Sequence, residues 1–159
     1  LLGEGLDSRC GIVYNTTMET PQVVLNTYVL VSALRSRRGA SFRVLELLDQ
    51  GRFETHLSVP LVMEYEQEAR ELVGSGPLTQ DDVDTILDYL CAVGRPCKVF
   101  YLWRPFLKDP KDDLVLELAV AAACDAIVTH NRKDFAGAEQ FGVRIVPPAE
   151  FLQELGEAL

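Results

Sequence analysis

The chain lacks an excess of positive charge. Fifteen Lys and Arg face 24 Asp and Glu, for a net charge of −9 over 159 residues. That balance excludes broad, sequence-independent coating of nucleic acid, which needs a basic surface. It does not exclude a nuclease whose acids are partly neutralised by bound cations. No apolar run approaches the length that crosses a bilayer, so no membrane role is expected. No basic stretch precedes an apolar core near the first residue, so no signal peptide is read there. The four cysteines, Cys10, Cys91, Cys97 and Cys124, form no C-x-x-C pair. They read as reduced thiols, and the expected home is the cytoplasm. There is no internal repeat, no low-complexity tract and no G-x-x-x-x-G-K-[ST] phosphate loop.

The chain does hold enough apolar residues, 48%, for a single core at this length. Its first 17 residues show no clean periodicity and precede Met18. They are expected to be a poorly ordered extension, with Met18 as the native start and residues 18–159 as the folded domain.

From residue 23 strand-like and helix-like segments alternate. Val23–Leu25, Phe53–Leu57, Lys98–Leu102, Ala126–Thr129 and Val143–Val146 read as short buried strands. Helices are predicted over Val29–Leu34, Gly39–Leu48 with Phe42, Leu45 and Leu48 inward, Ser58 to about Val73, Thr79 onward, Lys111–Ala123 and Glu150–Leu155. Ser58 and Thr79 suit N-caps, and Pro60 suits a first turn. Strands alternating with helices predict an α/β fold: a central, mostly parallel five-stranded sheet flanked by helices in three layers. Sites in such sheets lie beyond the C-terminal strand ends.

Acids gather at those ends. Glu64 lies in L-V-M-E-Y-E, Asp109, Asp112 and Asp113 in K-D-P-K-D-D-L-V-L-E-L-A, and Asp134 in I-V-T-H-N-R-K-D-F. Carboxylates so placed suit a hard divalent cation, Mg²⁺ or Mn²⁺. Each also has a plainer reading. Glu64 sits among Glu66, Glu68 and Glu71 as a solvated helix acid would. Asp112 and Asp113 suit a first turn that favours negative charge, Asp109 a turn before Pro110, and Asn131 and Asp134 a short helix start. Asp112 precedes Val115, Leu116 and Ala119 at helical spacing, which favours it over Asp113 as a ligand. Glu117 is expected to face solvent, His56 to be structural and His130 incidental. Phe100, Tyr101, Trp103 and Phe106 read as packing aromatics.

Taken together, V-V-L-N-T-Y-V-L-V-S-A-L at 23–34, the Glu64 helix, the D-P-x-D segment and I-V-T-H-N-R-K-D-F resemble the PIN-domain ribonucleases, particularly bacterial toxins of the VapC type. The resemblance runs from about Gln22 to the C-terminus. It implies a PIN-like fold and a metal-dependent RNA endonuclease, a hydrolase, with Mg²⁺ or Mn²⁺ as cofactor. Implied partners are an RNA substrate and a cognate antitoxin, and homodimerisation is common among PIN proteins. It assigns Glu64, Asp112 and Asp134 to metal and catalysis, with Asp113 in reserve. Thr27, Thr129, Asn131 and Asp109 would support the ligands. Arg35, Arg37 and Arg38 form a small basic cluster for RNA phosphates, or simply a solvated loop. The chain departs from the family's D-T-N motif twice: the leading acid is Asn26 and the Asn is Tyr28. Asn26 offers a carbonyl oxygen but no negative charge. The resemblance therefore leaves two readings, a weakened nuclease or a catalytically dead module that binds an antitoxin or RNA. A phosphotransfer receiver also clusters acids on such a sheet, but the late Thr…Lys pair it needs is not evident.

Overall fold

The computed structural model describes residues 19–99 and 106–157. The expected extension at 1–17, Met18, Cys10, and the aromatics Phe100, Tyr101 and Trp103 lie outside the described residues. Five parallel strands form one sheet: β1 (Gln22–Leu25), β2 (Glu54–Leu57), β3 (Arg95–Pro96), β4 (Ala126–Val128) and β5 (Arg144–Val146), in the order β3-β2-β1-β4-β5. Around it lie α1 (Thr27–Arg35), α2 (Ala40–Asp49), α3 (Val59–Arg70), α4 (Gln80–Val93), α5 (Pro110–Ala121) and α6 (Pro148–Glu154). Two 3-10 turns, Arg132–Phe135 and Ala138–Phe141, join β4 to β5.

The central strands are short apolar runs because helices cover both their faces. Val23, Val24, Ala126, Ile127 and Val128 are wholly buried. Register is fixed by pairing Val23 with Thr55 on one side and Leu25 with Val128 on the other. The chain runs outward from β1 through β2 to β3, then returns to add β4 and β5 on the opposite side. The direction therefore reverses between β1 and β4, and their C-terminal ends flank a crevice.

Local chemistry sets the helix starts. The Ser58 hydroxyl accepts from the Leu61 amide at 3.3 Å, with Pro60 in the first turn. Thr79 and Asp82 form a reciprocal capping box. Asp109 caps α5 through the Lys111 amide at 2.9 Å. Tyr65, fully buried on α3, donates its hydroxyl to the Leu25 carbonyl at 2.6 Å and ties α3 to the end of β1. Phe53 and Phe151 meet edge to face at 5.0 Å and seat α6. Arg43 and Arg52 both hold Glu157, which secures the chain beyond α6.

Three expectations need correction. The third strand is Arg95–Pro96, not Lys98 onward: the Leu57 carbonyl accepts from the Cys97 amide, and pairing stops there. In α2 the buried stripe is Ser41, Val44, Leu47 and Leu48, with Phe42 and Leu45 only partly covered, because α2 packs against both α1 and α6. Glu117 is 1% exposed instead of solvated. Helix α5 packs against strands and α3 together, so residues 115–119 are covered all round and no polar face remains at 117.

Candidate functional site

Four segments deliver the candidate residues to the C-terminal edge of the sheet. Asn26 follows β1 directly and caps α1: its Oδ1 accepts from the Thr27 amide at 2.9 Å. Its Nδ2 donates across the crevice to Thr129 Oγ1 at 2.8 Å. Thr129, wholly buried after β4, also accepts from the Asn131 amide at 3.1 Å. The reversal point between β1 and β4 is thus closed by an amide–hydroxyl–amide chain. Asn131 begins the 3-10 turn without a side-chain cap. Thr27 is buried, and Tyr28 is 51% exposed in the first turn of α1.

The α5 start carries the acids because an N-terminal turn tolerates negative charge. Asp112 is half-buried, and its carboxyl is pushed up to about 6 by burial first, then by Asp134, Asp109 and Asp113. Asp134 sits exposed in the first 3-10 turn. The structure therefore brings Asp112 and Asp134, 22 residues apart in sequence, into one electrostatic neighbourhood. Like charges held together in partly dry surroundings disfavour ionisation; a cation would relieve that strain.

Asp113 faces inward, only 1% exposed. Its Oδ1 accepts from the amides of Phe106 at 3.3 Å and Leu107 at 2.9 Å, while its buried Oδ2 has no hydrogen-bond partner. It anchors the approach to α5, so its carboxylate is turned away from the role of a reserve ligand. Glu64 lies in the second turn of α3 with its side chain 13% exposed, and its Oε2 pairs with Lys111 Nζ at 3.2 Å. Glu68 joins the same ammonium at 3.5 Å. Glu64 and Asp112 thus stand on the same edge, with Lys111 on Glu64. Among the described residues no three His, Cys, Asp or Glu side chains converge closely enough to hold a metal ion. The donors are all hard oxygens, which fits Mg²⁺ or Mn²⁺, and the raised Asp112 carboxyl marks where a cation would be most favoured.

His130 is turned to Ser41, Nε2 to Oγ at 2.9 Å, and burial lowers its proton affinity. His56 bonds Gln22 at 2.6 Å between β2 and β1, as expected of a structural histidine. Arg35, Arg37 and Arg38 are exposed where α1 ends. The residue that the sequence reading left unassigned is Lys111. It stands between quoted acids, but the ion pair to Glu64 joins positions 47 apart and leaves no local signal.

Residues 22–133 match the PIN domain family, and the chain belongs to that family. PIN domains are generally dependent on a divalent metal. Among solved structures, the chain is similar to VapBC2 from Rickettsia felis, determined bound to a DNA fragment from their promoter. That match has 15% identity and a TM-score of 0.55, and covers 78% of this chain and 98% of that one. At such identity the likeness is one of fold. No curated protein matches the chain. Among the described residues no helix is long and apolar enough to cross a membrane.

Proposed function

We propose that this PIN domain is a metal-dependent RNA endonuclease, the toxin half of a toxin–antitoxin pair, working with lowered cation affinity. The observation that carries the reading is the Asp112–Asp134 neighbourhood beside Asn26, at the point where the strand order reverses. Asp112, Asp134 and Glu64 would hold Mg²⁺ or Mn²⁺. The bound ion would supply an activated water and charge stabilisation at the scissile phosphate. Asn26 orients the site through Thr129 and contributes an oxygen dipole where the family carries an acid. Arg35, Arg37 and Arg38 offer exposed cations to the RNA backbone. A cytoplasmic location and a basic antitoxin segment that docks on the acids complete the reading.

The test is cleavage of single-stranded RNA with Mn²⁺ by the wild type, Asn26→Asp and Asp112→Asn. Slow cutting by the wild type, a gain of about tenfold or more with Asp at 26 and loss with Asn at 112 are expected. A second reading, a binding module without catalysis, is favoured by one observation: both ends of the Asn26 amide are already committed, to Thr27 and Thr129. Inert RNA with both wild type and Asn26→Asp selects that reading.

A further inference from the structure

We propose that Lys111 is a built-in competitor for the cation at this site: its ammonium occupies Glu64, and loading a metal requires that it leave. The inference rests on the metal-site reading above and adds a regulation that the site carries within itself. Lys111 Nζ lies 3.2 Å from Glu64 Oε2 and 3.5 Å from Glu68 Oε2. An exposed ion pair alone is a weak contact. Here the Glu64 side chain is only 13% exposed, while Lys111 is 54% exposed. The acid is held in place and the cation is the mobile partner.

The backbone keeps that cation within reach. Asp109 caps the helix through the Lys111 amide, so the start of the lysine stem is fixed on the first turn of α5. Lys111 also borders a largely apolar cleft of about 590 Å³, between the starts of α3 and α5, walled by Val59, Pro60, Val99, Pro110 and Leu114. Apolar walls reduce the water that would otherwise screen the pair. Neighbouring positions on α5 therefore carry opposite charges to the same edge, Lys111 to Glu64 and Asp112 toward Asp134. An ion that took Glu64 and Asp112 together would need the ammonium to swing out to solvent, which its exposure allows. With Asn26 supplying no charge, one resident positive charge removes a large share of what attracts a divalent ion. The device sets a threshold of free cation below which Glu64 stays paired with protein.

Calorimetric titration of the full chain with MnCl₂ at pH 7.5 tests this, using the wild type, Lys111→Gln, Lys111→Arg, Lys108→Gln and Asp112→Asn, each checked for a cooperative thermal transition. Lys111→Gln should bind Mn²⁺ on the order of tenfold more tightly, as expected for removing one unit charge a few ångströms from the carboxylate. Lys111→Arg keeps the charge and Lys108→Gln removes an exposed neighbour; both should match the wild type. An equal gain with Lys108→Gln would mean general charge, not this contact, and overturns the proposal. No gain with Lys111→Gln, while Asp112→Asn still weakens binding, overturns the proposal and leaves the metal site standing. Binding unaffected by Asp112→Asn, or no binding in any variant, overturns both.

Discussion

Asp112→Asn should stabilise the metal-free protein at neutral pH and leave it unchanged in acid. Folding raises the Asp112 carboxyl from 3.8 to about 6. An aspartate raised in this way binds its proton more tightly when folded. Its favourable contribution is complete below about pH 4 and is lost as pH rises through about 6. Above that window the folded chain carries a charge that the unfolded chain bears more easily. A shift of about two pKa units corresponds to at most about 3 kcal/mol. Asp112 is only half-buried, so solvent screening reduces this to about 1–1.5 kcal/mol. For a domain of this size the melting temperature should rise by about 3–5 °C. The assay is thermal unfolding with EDTA at pH 7.5 and at pH 3.5, read as the difference between variant and wild type. The difference is needed because Glu54 and Glu157 are held below the usual carboxylate range, chiefly by hydrogen bonds from Arg95 and Arg43, and lose their contributions in acid. A gain of equal size at both pH values, or a loss at pH 7.5, would refute the electrostatic account of the site.

Gly94→Ala should cost about 2–3 kcal/mol in denaturant unfolding. A Cβ there would stand 2.5 Å from Leu57 Cδ1 and 2.7 Å from the Leu90 carbonyl oxygen, and the backbone has no room to move aside. A neutral result would place the α4–β3 junction further from β2 than described. Asp113→Ala should cost about 2–4 kcal/mol, because the amides of Phe106 and Leu107 lose their buried acceptor. Amide exchange at those two residues should rise sharply in any folded remainder; unchanged protection would show that Asp113 does not hold the approach to α5.

Much of the frame was legible in the chain itself. The valine-rich run at 23–25, the caps Ser58 and Thr79 and the alternation of element types are local signals, and local propensity and tertiary packing agree there. The third strand was not legible. Arg95–Pro96 carries no strand pattern and pairs only because α4 delivers it to the edge of β2. Glu117 misled for a related reason: a lone charge on an apolar helix reads as a solvent face, and only packing on both sides buries it.

The sequence by itself determined which residue types meet at the C-terminal edge: oxygen-bearing side chains from four segments, with an amide where the family carries an acid. It did so because the order of strands and helices dictates where each segment ends. What only the tertiary structure decided is the partner of each acid. Asp112 faces Asp134, Asp113 turns inward to two backbone amides, and Glu64 meets Lys111. Adjacent helix positions point about 100° apart, so neighbours in sequence receive different surroundings. Those surroundings are set by helices and turns tens of residues away, and pairwise electrostatics at a few ångströms then gives each carboxylate its own task.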